Sequence, residues 1–172
     1  MAAKTRINAS RRNFLMGAVR RARGKEAPAD PVAASADIVP LLDRANSHFA
    51  KREFEQAVDA YREYLKQEKG DSDVRIRLGK SLYGLGRYTA ARLEFKRVLK
   101  ARPKDPDACV YAGLCFVRSA RLEEAACIWD DFFDLRNVTL LRELNIQKGL
   151  IRAGETDSHD AVAEAVEAVL GI

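Results

Sequence analysis

A membrane-crossing helix needs about 18 consecutive apolar residues, and no such run occurs in the 172 residues of this chain. Cysteine is scarce. Its three copies, Cys109, Cys115 and Cys127, stand six and twelve residues apart, which matches no zinc or haem spacing and leaves one thiol over from any disulfide. They read as small apolar packers in a reducing compartment. Histidine is limited to His48 and His159. His159, close to Asp157 and Asp160, reads as a surface cluster at a helix start and not as a metal site. No strand pattern precedes a glycine-rich phosphate loop. Asp130 and Asp131 are neighbours, so on a helix their carboxylates diverge and cannot work as a pair. Nothing in the sequence supports catalysis, and neither cofactor nor metal is expected.

Acid is missing from the amino-terminal segment. Between Met1 and Lys25 lie eight basic residues and no Asp or Glu, while the rest of the chain carries 22 basic and 25 acidic residues. The formal net charge of +5 therefore belongs to a tail, and the body, at −3, argues against a nucleic-acid partner. The final stretch, Ala153 to Ile172, holds five acids and no Lys or Arg.

What the chain does have is a rhythm. Ala45, Gly79 and Gly113 are each 34 residues apart, as are Ala57, Ala91 and Ala125, and as are Tyr61, Phe95 and Trp129. Between the two small series stand Phe54, Tyr88 and Leu122, at the same period. Two antiparallel helices approach closely only where a side chain is nearly absent. An aromatic four residues after each alanine lies one turn along the same face and fills the space toward the next pair. Gly86 and Pro103 mark turns of the second unit.

These offsets resemble the tetratricopeptide repeat family. In that family's terms the units run 38–71, 72–105 and 106–139. Residues 1–24 form a basic amphipathic tail, 25–37 a linker rich in Ala, Pro and Asp, and 140–172 a carboxy-terminal cap or partial fourth repeat. The expected fold is an all-α solenoid of helical hairpins, its apolar end covered by polar-faced helices. Gly154 is expected to stop one capping helix, with Asp157 or Ser158 starting the next. The chain departs from the family at its early tryptophan, replaced by Leu41, Arg75 and Cys109. The leucine that follows survives only as Leu78, and the closing proline only as Pro103.

The resemblance implies a concave groove lined by the first helix of each pair. Its inward positions here are Asn46, Phe49, Arg77, Lys80, Tyr83, Tyr111, Leu114 and Arg118. Aromatics interleaved with cations suit a protein or peptide partner bearing acidic and apolar side chains. Family members that clamp a chaperone's terminal carboxylate use a different set. Of the corresponding residues Leu42, Asn46, Arg77, Asp107 and Tyr111, only Asn46 agrees, and that role is excluded.

Ser10-Arg11-Arg12-Asn13-Phe14-Leu15 resembles the twin-arginine export motif, and Ala34-Ser35-Ala36 offers a cleavage site. The chemistry between them argues against export. Only Asn13 to Val19 separates Arg12 from Arg20, and Arg21, Arg23 and Lys25 follow where an apolar run of about 7–15 residues is needed. A basic start of this kind is similar to cytoplasmic accessory proteins of bacterial redox enzymes, which implies docking through Ser10, Arg11, Arg12, Phe14 and Leu15. A basic helix on anionic lipid is a further reading.

The expectation is a non-catalytic interaction scaffold or assembly factor, cytoplasmic or peripheral to an inner membrane. The alternatives are a chaperone similar to the translocator chaperones of type III secretion, or an exported periplasmic subunit.

Overall fold

Four of the helix starts are set by side chains that the sequence places one residue ahead of them. Asp71 accepts hydrogen bonds from the backbone N–H of Asp73 and Val74, both at 3.0 Å. Asp105, 34 residues on, accepts from Ala108 at 3.1 Å, Asn137 from Leu140 at 3.0 Å, and Ser158 from Ala161 at 3.0 Å. Each satisfies a donor that the first helical turn leaves orphaned.

The structure, a computed structural model, describes residues 31–172, with side chains from Ile38 onward. These residues form α1 (Pro31–Ala50), α2 (Phe54–Gln67), α3 (Ser72–Gly84), α4 (Tyr88–Ala101), α5 (Pro106–Val117), α6 (Leu122–Trp129), α7 (Val138–Ala153) and α8 (His159–Leu170). No strand occurs among the described residues, so the fold is an all-α helical repeat. Residues Ile38–Ile172 pack into one unit, which holds all three repeats and the two helices after them.

The tail motif Ser10–Leu15 and the residues up to Asp30 lie outside the described residues. Helix α1 opens at Pro31, inside the stretch that composition suggests is a linker. A proline at a first helical position and the alanines at 33, 34 and 36 all favour helix. Helix α7 opens at Val138, because Asn137 and not a later residue provides its cap. Of the two starts open for the last helix, Ser158 supplies the cap.

The core follows the small–aromatic rhythm. Ala45, Ala57, Ala91, Ala125, Tyr61, Phe95 and Trp129 are all fully buried. A Cβ added to Gly79 would stand 2.6 Å from the Phe95 ring, and one added to Gly113 would stand 2.0 Å from the Trp129 indole nitrogen. The Trp129 Nε1–H donates to the Val110 carbonyl at 3.2 Å. The position of the family's early tryptophan is filled unit by unit in different ways. In the second unit Arg75 donates to Glu94 at 2.8 Å and to the Lys69 carbonyl at 2.7 Å, a largely buried ion pair joining α3 to α4.

The turns within each pair repeat as well. Arg52, Gly86 and Ala120, each 34 apart, have φ of 59°, 70° and 55°. In each, two backbone N–H groups close back on the preceding helix, as Gly86 does to Tyr83 at 2.9 Å and Arg87 to Leu82 at 2.9 Å. A side chain in the left-handed region costs about 1 kcal/mol. A Cβ at Gly86 would meet nothing within 4 Å, so Gly86→Ala isolates that backbone cost. We expect Gly86→Ala to destabilise by about 1 kcal/mol and Ala120→Gly to stabilise by a similar amount, read from urea midpoints at unchanged slope.

Cys109 and Cys115 are buried, which pushes their thiols from the ordinary 9.0 up to about 11 and about 12, while Cys127 is exposed. Burial likewise pushes the Tyr111 phenol from 10.0 up to about 12. These groups favour folding while protonated. Their contribution is present below the unfolded values, 9.0 for the thiols and 10.0 for the phenol, and is lost as the pH rises through 11 to 12. At about pH 8 a disulfide reagent should therefore modify one thiol of the folded protein and all three after denaturation. A count of three in the native protein would show that α5 opens readily.

Candidate functional site

Helices α1, α3 and α5 are tied together along one side by polar contacts. The Asn46 Oδ1 on α1 accepts from Tyr61 Oη at 2.9 Å and from Arg77 Nη1 on α3 at 2.6 Å. Lys80 on α3 donates to Asp107 on α5 at 3.0 Å and stands 4.9 Å from the Tyr111 ring centroid. Beneath these bonds runs an aromatic seam. Tyr83 meets Tyr111 edge-on at 5.6 Å and Tyr88 at 5.2 Å, while Tyr111 stacks on Phe95 at 5.6 Å. Phe49 lies 6.1 Å from Phe54. Gly84 permits this approach, since a Cβ there would stand 2.5 Å from the Phe54 ring.

The result is an open recess of about 300 Å³. Phe49, Phe54, Tyr83, Tyr88 and Tyr111 wall it, Arg52 and Lys80 bring positive charge, and Glu167 and Ile172 reach it from the carboxy-terminal end. Four of the eight residues read as groove-facing from sequence, Phe49, Lys80, Tyr83 and Tyr111, meet here. Asn46 and Arg77 are bonded to one another, with Arg77 exposed.

Leu114 and Arg118 stand differently. Leu114 is fully buried and is a core side chain that presents nothing to a partner, because its position on α5 is closed over by packing. Arg118 is already engaged. Its Nε donates to Glu167 Oε1 at 3.1 Å, its Nη2 to Glu167 Oε2, and its Nη1 to Asp160 at 2.9 Å. Tyr83 Oη donates to the same Glu167. Burial first, and then this bond, pushes the Tyr83 phenol well above its ordinary value. The Glu167 bond in turn raises the Arg118 guanidinium above its own. So α8, beyond covering the end of the array, sends a carboxylate into the groove wall.

Sequence reasoning missed Arg52, Glu167 and Ile172 as recess residues. Phe54 and Tyr88 were visible in the spacing as periodic aromatics, without any sign that they face the recess. Glu167 sits 49 residues from Arg118, and nothing local in the sequence announces a bond over that separation. Ser10, Arg11, Arg12, Phe14 and Leu15, read as a docking motif, lie outside the described residues.

Among the described residues no group of three or more His, Cys, Asp or Glu is placed to hold a metal ion, and no helix is long and apolar enough to cross a membrane. The family model for the tetratricopeptide repeat matches residues 42–106 and 76–131, which together span more than half of the chain. No curated protein matches it.

Proposed function

We propose, from the premise that this chain belongs to the tetratricopeptide repeat family, that it is a non-catalytic scaffold or assembly factor holding a segment of a partner protein between α1, α3 and α5. Repeats of this family serve in general as protein–protein interaction scaffolds. The observation that carries the reading here is the recess itself. Phe49, Phe54 and Tyr88 offer walls for an apolar or aromatic side chain, and Lys80 and Arg52 offer charge for an acid beside it. The exposed Arg77 extends that positive rim along the groove.

In this reading the basic tail makes a second contact, docking the scaffold on a membrane surface or a membrane-bound redox complex from the cytoplasmic side. Support comes from eight cations without an acid between Met1 and Lys25, beside Phe14 and Leu15.

Tyr83 and Tyr111 are poor choices for a test, because both are buried and their truncation would loosen the fold. Arg77→Glu combined with Lys80→Glu changes the rim and leaves the aromatic seam in place. In the protein's own cells, cross-linking followed by mass spectrometry should find a partner on the wild-type recess. The double variant should lose it by about tenfold or more. Arg11→Ala with Arg12→Ala should keep that partner while releasing the protein from the membrane fraction. Retention of the partner by the rim variant would sink the groove reading. A chain recovered from the periplasm and beginning near Asp37 would instead make the tail an export signal.

A further inference from the structure

The body of the chain is acidic on balance, but its charge is unevenly spread, and α4 is the most basic of the described helices. Every exposed charged side chain of α4 is basic: Lys96, Arg97 and Lys100, with Lys104 in the turn beyond. Its acid, Glu94, is largely buried and is shared between Arg75 and Arg97. Among the described residues no acid pairs with Lys96, Lys100 or Lys104. Between these cations Leu93 is 52 % exposed.

The cations border a cleft. One part, of about 750 Å³, is floored by Cys109, Leu99 and Ile128, and it continues into a second of about 420 Å³ floored by Ala112 and Phe116. The cleft has a cause in the repeat. Where the second unit sets Arg75 against Glu94, the third sets Cys109 against Ile128, each 34 residues later. The small thiol of Cys109 leaves unfilled the space that the long Arg75 side chain fills in the unit before. Cys109, Ala112 and Phe116 share one face of α5, about 10 Å long at 1.5 Å per residue. Tyr111 and Arg118, on the groove between α1, α3 and α5, fall on the opposite face at 100° per residue.

We propose that this cleft is a second docking surface, for an acidic amphipathic helix of a partner protein. An apolar floor two helical turns long takes a stripe of residues at i, i+3 or i+4, and i+7. The surrounding cations take carboxylates on the flanks of that helix. Arg92 and Arg121 hold the far wall, both stacked on Phe116 at 4.6 and 4.9 Å. Asp131 is the one acid of the lining, against four cations around the larger part. A lipid surface is flat and does not fill a concave floor. The chain's own segments do not fit either. The tail is basic, and the acidic α8 already buries its apolar Val162, Ala163 and Val166.

The test uses the full chain and a fluorescent helical peptide with Leu along one face and Glu on the others. Two comparisons accompany it: a peptide of the same composition with the leucines scattered, and phosphatidylserine vesicles. The amphipathic peptide should bind, and the scattered one about tenfold more weakly. Lys96→Glu/Lys100→Glu/Lys104→Glu and, separately, Leu93→Glu should each weaken binding about tenfold, with unchanged circular dichroism. Arg77→Glu/Lys80→Glu should leave it intact, which separates this surface from the groove of the proposed function. Equal binding of the two peptides would reduce the cleft to a charge effect and overturn the proposal. So would vesicle binding that depends on the lysines and ignores Leu93, an absence of peptide binding, or loss of binding in the groove variant alone.

Discussion

Gly113→Ala is expected to cost about 3 kcal/mol, at the upper end of what one added methyl does in a packed core. The reason is geometric. The new Cβ would stand 2.0 Å from the indole nitrogen of Trp129 and 2.5 Å from its Cε2, and the ring has nowhere to retreat because it is fully buried. The ring is also held by its bond to the Val110 carbonyl, one helical turn before Gly113. Moving it would strip that bond and part α5 from α6. Trp129 is the single tryptophan, so its emission reports the displacement directly. The melting temperature should fall by about 10 °C.

A compensating exchange makes the argument sharper. The first unit already pairs an alanine, Ala45, with a tyrosine, Tyr61, and the second pairs Gly79 with Phe95. Gly113→Ala combined with Trp129→Tyr reproduces the first pairing in the third unit. The double variant should recover about 1–2 kcal/mol relative to the sum of the singles. Strict additivity in the cycle would mean that the clash is relieved elsewhere and that the small–aromatic contact does not set the spacing of the helices.

That contact is also why so much of the fold is legible from sequence. Close approach demands a specific residue type, so Ala45, Gly79 and Gly113 mark the helix crossings, and Tyr61, Phe95 and Trp129 mark what lies over them. Turn chemistry is legible only in part. Gly86 announces a left-handed residue, whereas Arg52 and Ala120 adopt the same conformation without any compositional sign, because the flanking helices impose it. The groove is harder still. Periodicity places Leu114 and Arg118 on its face, but burial and a distant helix decide their fate. The cleft beneath α4 arises from an absence of bulk at Cys109, where the unit before has Arg75, and one missing side chain leaves no pattern of its own along the chain.

Removing the carboxylate that α8 sends into the groove should have the largest effect on how the groove is used. In Glu167→Ala, Arg118 keeps Asp160 but loses its bidentate partner, and Tyr83 loses its acceptor. The side chains of Arg118 and Glu167 are only 20 % and 15 % exposed, so an uncompensated partner is costly. With Asp160 left in place the loss should be about 2 kcal/mol. It should fall unevenly. Hydrogen exchange should quicken in α8 while α3 to α6 keep their protection, since the seam from Phe95 to Tyr111 does not involve Glu167. The Tyr83 phenol should titrate lower than in the wild type, because burial remains but the carboxylate that also holds it up is gone. In the proposed function Glu167 is the one acid lining the recess beside Lys80 and Arg52, so without it the variant should also bind an acidic partner more tightly while being less stable. A variant less stable and no better at binding would mean that the partner engages only the Arg77–Lys80 end. Unchanged exchange in α8 would mean that Val162, Ala163 and Val166 hold the helix by packing alone, with the ion pair fixing only the rotamer of Arg118.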